Sequence, residues 1–295
     1  MRRKTNLKPR GPQPRGQLFG ELRRTIMSQN FIEVDSGKCV RCGFCIIDCP
    51  TCVLEMGDNG PQVREDQCIE CGHCVAVCPT EALDNTRTPR AEQKPFDPAE
   101  LPTPEQAACF LRTRRSIRGF LDKPVPRETI DKLLDIARIA PTGGNTQGVR
   151  FHIIHNKERL REITAAAMAW AEQRLDLAPH LASMVAYHRA TGKDNVLRNA
   201  PYLILTLMDE ATKPMFRQNG RFMLTYAELY APMLGLGSCW AGWAEAAAIS
   251  GDPQTLGLLA LPKGKVVTGA IVVGIPRYRH KRIPTRHPLE VTWVE

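Results

Sequence analysis

Residues 39–50, CVRCGFCIIDCP, recur 29 positions later as residues 68–79, CIECGHCVAVCP. Both copies have the spacing C-x2-C-x2-C-x3-C-P, so this part of the chain is an internal repeat. A duplicated pattern of this kind supplies the ligands of two [4Fe–4S] clusters, and the fourth cysteine of each run binds the cluster of the other run. The pattern therefore predicts one cluster on Cys39, Cys42, Cys45 and Cys78, and a second on Cys68, Cys71, Cys74 and Cys49.

Zinc and disulfides fit the cysteine pattern less well. Structural zinc normally takes two C-x2-C pairs, which leaves the third cysteine and the Cys-Pro of both copies without a role. Disulfides are disfavoured because closely packed C-x2-C spacing in a long chain is typical of metal binding. Cys52 lies outside the pattern. We expect it to be a small buried residue near a cluster, with a substitute ligand as the lesser alternative.

This segment resembles the small two-cluster bacterial-type ferredoxins over about fifty residues. Eight of the eleven cysteines belong to the repeat. Such use of thiols indicates a reducing, low-oxygen cytoplasm, as in an anaerobe.

Composition limits the remaining possibilities. The chain has 295 residues, 43% of them hydrophobic, which is enough for two globular domains, and no apolar run is long enough to span a membrane. The net charge of +9 is concentrated at the N-terminus, where residues 1–24 hold eight Arg or Lys and one acid. A basic segment can bind nucleic acid or anionic lipid. We expect instead a disordered extension over residues 1–30, with no nucleic-acid or membrane partner.

The domain boundary is expected in residues 84–104, which are polar and hold five prolines. A cluster domain would then cover residues 31–83 and a second domain residues 105–295. The second domain alternates helical and strand patterns, which predicts an α+β fold with helices over a central mixed or antiparallel sheet. The predicted helices are 105–114, 126–139, 158–177 and 220–234, and the predicted strands are 149–155, 202–208 and 265–275.

Four stretches of the second domain could bind a cofactor. Residues 113–120, TRRSIRGF, place three arginines and a serine where they could hold a phosphate. Residues 140–147, APTGGNTQ, offer small and amide side chains that let a planar ligand approach. Residues 234–242, LGLGSCWAG, lack the glycine spacing of a dinucleotide fingerprint, so we reject a Rossmann fold. Residues 277–286 add further basic side chains. Taken alone, each stretch would be interpreted as an ordinary loop or solvated tail.

The order and spacing of the four stretches resemble the nitroreductase-like flavoprotein family from about residue 108 to the end. The resemblance implies FMN and an intertwined homodimer. It implies that Arg114, Arg115 and Ser116 hold the phosphate and ribityl, and that Arg118 lies near the flavin N1/O2 edge. Pro141, Thr142, Gly143 and Asn145 would reach the flavin from the partner subunit. Trp240, Ala241 and Gly242 would lie against its ring, with an Ala241 or Gly242 N–H facing N5, and Arg286 or Arg282 would add a phosphate contact.

The combination resembles ferredoxin–nitroreductase fusions of anaerobes. It implies an oxidoreductase in which two clusters carry electrons from a low-potential donor, such as a ferredoxin, to FMN and on to a nitro, quinone or other conjugated acceptor. No residue is singled out as an acid–base catalyst. Two alternatives remain: an electron-transfer module that serves a protein partner, and an NAD(P)H-dependent flavin or nitroreductase with accessory clusters.

Overall fold

The computed structural model describes residues 30–176 and 179–295, so the basic segment 1–24 and nearly all of the expected extension 1–30 lie outside the described residues. The described chain forms two compact units, the first ending at Asp97 and the second beginning at Pro98. The prolines of 84–104 fall around this point.

The N-terminal unit is built from two similar halves. Each half has a cysteine loop, a four-residue helix and a strand that ends the half. The elements in chain order are β1 Ile32–Val34, α1 Phe44–Ile47, β2 Leu54–Gly57, β3 Gly60–Val63, α2 His73–Ala76 and β4 Leu83–Asn85. Strand β1 pairs with β4 and β2 pairs with β3, both antiparallel. Their small shared core contains Phe31, Ile32, Val53, Leu54, Val75 and Leu83.

The C-terminal unit has a four-stranded antiparallel sheet in the order β5-β6-β8-β7. Its strands are β5 Arg150–Ile154, β6 Tyr202–Asp209, β7 Gly237–Trp240 and β8 Lys265–Gly274. Its helices are α3 Pro104–Thr113, α4 Arg127–Ala137, α5 Lys157–Glu172, α6 Ala182–Thr191, α7 Asn219–Tyr230, α8 Gly242–Ile249 and α9 Pro253–Leu259.

Helices cover both faces of this sheet. In β6, Leu203, Leu205 and Leu207 belong to a core shared with α5, α8 and α9, whereas Ile204 belongs to a core shared with α4 and α7. A strand whose neighbouring residues enter opposite cores has a nearly continuous apolar sequence, and β6 shows this pattern with Thr206 as its one buried polar residue. The predicted α+β class and helix-covered sheet are confirmed.

The sequence pattern was less accurate at several element ends. Helix α5 begins after Asn156, whose side chain accepts the Arg159 N–H at 2.8 Å and caps the helix. It ends at Glu172, before the predicted end at Leu177, which lies outside the described residues. The helix predicted over 220–234 ends at Tyr230 and continues as a 3-10 turn through Leu234. Pro232 accounts for that end because it cannot donate an i→i−4 hydrogen bond.

Gly220 makes a close contact between α7 and the sheet that can be tested. A Cβ at this position would overlap the buried hydroxyl oxygens of Thr206 and Thr268. We expect Gly220→Ala to lower the free energy of unfolding of the C-terminal unit by about 1–3 kcal/mol. The matched control is Gly257→Ala in α9, where a Cβ meets no atom within 4 Å. It should be neutral or stabilising by up to about 1 kcal/mol. Chemical denaturation of both variants measures the difference, and equal effects would contradict the close contact.

Candidate cluster and cofactor sites

Each of two cavities in the N-terminal unit is lined by four cysteines. Cys39, Cys42, Cys45 and Cys78 line the first, together with Met56 and Phe44. Cys49, Cys68, Cys71 and Cys74 line the second, together with His73 and Asn85. The fourth cysteine of each run thus faces the cavity of the other run, and both groups have the membership given by the sequence pattern.

Left-handed backbone turns set the cysteines around each cavity. Gly43 and Gly72 precede α1 and α2 with φ angles of 79° and 74°. Only glycine adopts such angles without strain. Arg41 and Glu70, each between two cysteines, are also left-handed, at 54° and 57°. These turns bring cysteines three positions apart to one cavity.

Hydrogen bonds to sulfur favour the thiolate form at the crossing cysteines. The Ala82 N–H donates to Cys78 Sγ at 3.2 Å. Burial alone would raise the pKa of the Cys78 thiol, but N–H groups of Thr80, Leu83 and Ala82 outweigh it and the pKa is lowered. The pKa of Cys49 is lowered in the same manner, with burial opposed by the Val53 and Thr51 donors. Thiolates are the form that binds iron.

The cysteines on the two short helices behave differently. Burial raises the pKa of Cys45 to about 11, and the charges of Cys74, Cys78 and Cys42 contribute to the increase. A bound cation compensates such repulsion among converging thiolates. Among residues 30–176 and 179–295, no three His, Cys, Asp or Glu side chains converge on one point as for a single metal ion. Four thiols around a cavity, with N–H donors to sulfur, fit a polynuclear cluster.

The prediction that Cys52 is buried is wrong. The residue is exposed and does not line either cysteine cavity, so it is not a small buried residue near a cluster. Its φ of 52° turns the chain directly after Cys49-Pro50. In the second copy the equivalent position is Glu81, also left-handed at 52°. The repeat itself held this signal, because a charged residue at the equivalent position indicates an exposed site.

In the C-terminal unit, three of the four predicted stretches come together. The Ile117 N–H donates to the Ser238 carbonyl at 2.8 Å, so residues 113–120 run beside β7. The C-terminal stretch pairs with the same segment, since the Arg277 N–H donates to the Gly119 carbonyl at 2.9 Å. Arg115 also donates to the Arg282 carbonyl at 2.5 Å. The side chain of Arg286 is exposed.

The remaining stretch, 140–147, is held by α7. The buried side chain of Asn219 accepts the Gly143 N–H at 3.1 Å and donates to Thr146 Oγ1 at 3.3 Å. A Cβ on Gly143 would lie 2.7 Å from the Phe216 ring, so only glycine fits there. Pro141, Thr142 and Asn145 are carried on this anchored loop.

The charge of Arg118 interacts with that of a second guanidinium, Arg198. Arg198 is on the loop before β6, and its Nη1 donates to the buried Asn195 at 3.0 Å. Burial lowers the pKa of Arg198 and the positive charge of Arg118 lowers it further, whereas Cys239 and Asp194 act in the opposite direction. Two cations whose charges interact favour an electron-rich partner, such as the N1/O2 edge of a flavin. Arg198 was not predicted from the sequence, although its place directly before a buried strand was a usable signal.

Glu228 is a buried carboxylate that was also not predicted. Its side chain is 5% exposed and accepts from Trp240 Nε1 at 2.5 Å and Ser238 Oγ at 3.4 Å. It also pairs with Arg114 at 3.6 Å. Trp240 is thereby fixed in the core next to α7. The burial of Glu228 was not predicted because a single acidic residue in a mostly apolar helix is usually exposed.

Burial raises the pKa of Glu228, and Trp240, Arg114 and Ser238 only partly offset this. A carboxyl with a raised folded-state pKa contributes most stability when protonated, and that contribution is lost as pH rises through the folded pKa. We therefore expect the thermal stability of the native protein to fall, relative to Glu228→Gln, as the pH rises above about 4.5, the ordinary pKa of a glutamate carboxyl. Paired melting curves at several pH values measure this. A pH-independent difference would show that Glu228 ionises normally.

A cavity of about 510 Å³ lies beside the arginine segment. It is lined by Thr113, Arg115 and Glu228 and by Tyr278, Arg279 and His280 of the C-terminal stretch. Arg279 and His280, rather than the side chains of Arg282 and Arg286, are therefore the basic residues of that stretch that border the cavity.

The two backbone N–H groups predicted at N5 are not equivalent. Ala241 is fully buried and its N–H already donates to the Ala270 carbonyl at 2.9 Å, which removes it as a donor to a ligand. Gly242 begins α8, where the first N–H groups have no acceptor inside the helix. A Cβ on Gly242 would meet no atom within 4 Å, so the space beside it is open.

Two family models match this chain. Residues 111–275 match the nitroreductase family, and residues 38–82 match a 4Fe-4S dicluster domain. Both predicted resemblances are thus confirmed. None of the described helices is both long and apolar enough to cross a membrane.

Characterised relatives match parts of the chain. A chloronitrobenzene nitroreductase of Comamonas testosteroni is 39% identical over 70 residues, which cover 24% of this chain and 31% of the relative. An NAD(P)H-using FMN reductase of Bacillus subtilis is 29% identical over 59% of this chain and 67% of its own. This chain thus spans about a third of the first relative and two thirds of the second.

Solved structures share the fold. An FMN-bound nitroreductase from Bacteroides fragilis has a TM-score of 0.54 at 19% identity, covering 64% of this chain and 99% of its own. One from Desulfitobacterium hafniense has a TM-score of 0.50 at 21% identity, covering 64% and 97%.

Proposed function

The chain belongs to the nitroreductase family, and on that premise we propose that it is an iron–sulfur flavoprotein oxidoreductase. In this proposal two [4Fe–4S] clusters carry electrons from a low-potential donor, such as a ferredoxin, to FMN, and a nitro, quinone or other conjugated compound is the final acceptor. The observation that carries the proposal is the joining of two four-cysteine cavities to a nitroreductase domain in one chain.

The clusters are assigned crosswise. Cys39, Cys42, Cys45 and Cys78 hold the first cluster, and Cys68, Cys71, Cys74 and Cys49 hold the second. The cavity linings support this assignment. The backbone donors at Cys49 and Cys78 lower the pKa of those two thiols and so favour the thiolate form that binds iron. Eight thiolates in one chain require a reducing compartment, so we place the protein in the cytoplasm.

FMN is assigned to the edge of the sheet beside β7. Arg114, Arg115 and Ser116 hold its phosphate and ribityl, and Arg118 with Arg198 hold the N1/O2 edge. When bound, FMN supplies the conversion between one-electron and two-electron chemistry. Arg118 and Arg198 would stabilise negative charge at that edge, and Gly242 would offer its N–H to the flavin N5. Trp240, with Ala241, supports this segment from the core.

The C-terminal stretch closes the phosphate end. Arg279 and His280 border the cavity next to Arg115, and Arg282 is tied to Arg115 through its carbonyl. We propose a homodimer, as the family resemblance implies, in which the 141–145 loop reaches the flavin of the partner subunit. Within one chain, Asn219 anchors the backbone of this loop at Gly143.

One alternative has a specific observation in its favour. The Bacillus subtilis relative is an FMN reductase that uses NAD(P)H. A chain that shares this chemistry would reduce FMN directly from nicotinamide and use its clusters as accessories.

Anaerobic purification followed by donor titration separates these functions. The proposal expects about eight iron atoms and one FMN per chain. Reduced ferredoxin alone should bleach the flavin and support turnover of a nitro or quinone acceptor. Rapid bleaching by NADH or NADPH, with no response to ferredoxin, would favour the nicotinamide-dependent reductase. Fewer than about four iron atoms per chain, or bound zinc in their place, would overturn the cluster assignment.

A further inference from the structure

The two halves of the repeat carry unlike side chains at one position that lines the cysteine cavities. The 29-residue shift that superimposes the cysteines also places Met56 of the first half opposite Asn85 of the second. Met56 lines the first cavity and Asn85 lines the second. One half thus has a thioether where the other has a carboxamide.

Asn85 directs its amide nitrogen at two cysteine sulfurs. The residue is 1% exposed, and its Nδ2 lies 3.8 Å from Cys74 Sγ and 3.9 Å from Cys68 Sγ. The Arg87 backbone N–H donates to Asn85 Oδ1 at 2.9 Å. A backbone N–H can only donate, so the atom it meets must be the oxygen, and the nitrogen must face the sulfurs.

Several hydrogen bonds to sulfur are common to the two sites. At equivalent positions of the repeat, the Val53 N–H donates to the Cys49 sulfur and the Ala82 N–H donates to the Cys78 sulfur. Thr51 and Thr80 hydroxyls contact the same two sulfurs at 3.8 and 3.9 Å. A thioether has no proton to donate, so Met56 does not replace the contact that Asn85 makes.

Charged groups also differ between the halves. Arg41 beside the first site corresponds to Glu70 beside the second. This difference in charge favours reduction of the first cluster, whereas the Asn85 N–H favours reduction of the second. Arg41 and Glu70 are both exposed, and the Arg41 side chain donates to the Gly57 and Asp58 carbonyls. Solvent and salt screen such charges, whereas Asn85 acts at contact distance in a buried place. His73 of the second site corresponds to Phe44 and acts in the same direction as Asn85 when protonated.

We propose that Asn85 gives the cluster on Cys49, Cys68, Cys71 and Cys74 the higher reduction potential of the two. This inference rests on the clusters of the proposed function. Reduction adds one negative charge to a cluster, and an N–H dipole aimed at its cysteine sulfurs stabilises that charge. One electron leaves the first cluster, which is oxidised, and reduces the second, with no bond made or broken. In protein reduced by one electron, the electron therefore resides on the second cluster.

An anaerobic redox titration of the full chain, followed by electron paramagnetic resonance, tests this. The native protein should show two midpoint potentials. Asn85→Leu keeps the volume and removes the donor, and it should lower the higher potential while leaving the lower one in place. Asn85→Asp keeps the acceptor for the Arg87 N–H and should shift the same potential in the same direction. Met56→Leu, the matched change in the other half, should shift neither.

Iron analysis of each sample separates the two possible failures. Native protein with fewer than about four iron atoms would overturn the proposed clusters and this inference with them, and native protein with about four would remove the pair of clusters that the inference compares. Native protein with about eight, whose potentials coincide or do not move in Asn85→Leu and Asn85→Asp, would overturn the role of Asn85 alone. Shifts of equal size in Met56→Leu and Asn85→Leu would also contradict it.

Discussion

Cys74→Ala protein is expected to hold about four iron atoms per chain instead of about eight, because one cubane has lost a ligand. Cys74 is buried on α2 and lines the second cavity. Flavin reduction by reduced ferredoxin should be almost abolished, since the path now lacks a cluster. FMN content should be unchanged, because the C-terminal unit is untouched. Iron analysis and anaerobic flavin bleaching measure both quantities.

Cys52→Ala is the matched control for this experiment. Cys52 is only three residues from Cys49, yet it is exposed and does not line either cysteine cavity. The iron content and the rate of flavin reduction of this variant should equal those of the native protein. Iron loss in Cys52→Ala comparable to that in Cys74→Ala would show that Cys52 is a ligand and that the crosswise assignment is wrong.

Arg118→Ala is expected to weaken FMN binding by about 2 kcal/mol, the usual size for a hydrogen bond to a charged group. This corresponds to about a 30-fold increase in Kd. The flavin midpoint potential should also fall, because a cation that stabilises the reduced form is lost. Arg198→Ala should act in the same direction, since the charge of Arg118 interacts with that of Arg198. Fluorescence titration of FMN into the flavin-free protein gives Kd.

Arg127→Ala controls for the general loss of positive charge. Its guanidinium is 94% exposed on α4, where it pairs weakly with Asp131. The FMN affinity of this variant should be that of the native protein. If Arg118→Ala and Arg127→Ala bound FMN equally well, the N1/O2 edge would lie elsewhere and the placement of FMN beside β7 would fail.

The cluster domain and the buried strands could be predicted from the sequence because their constraints act on residues that are close in the chain. Cysteine spacing is set by the geometry of the group that is bound, so it is visible in one sequence. A strand buried on both faces is mostly apolar, and in β6 the buried residues Leu203–Met208 are apolar except for Thr206. These local constraints predicted the cluster domain and the helix-covered sheet.

The features that could not be predicted from the sequence depend on contacts between distant residues. Strand β7 is short and contains Gly237 and Ser238, so it has no clear alternation. Glu228 becomes buried because Trp240 and Arg114 come to it from different segments. Arg198 matters because the fold brings it to Arg118, 80 positions earlier in the chain. The Ala241 N–H donates to the Ala270 carbonyl of β8, a hydrogen bond that the spacing of residues in the sequence does not reveal.

Rapid mixing of the oxidised protein with reduced ferredoxin, under anaerobic conditions and with freeze-quenched samples, tests most directly whether electrons reach FMN through the clusters. We predict that the paramagnetic signal of reduced clusters appears before the flavin absorbance falls, and that Cys74→Ala loses the flavin phase. Flavin that is reduced before any cluster, at the same rate in native and Cys74→Ala protein, would contradict this electron path.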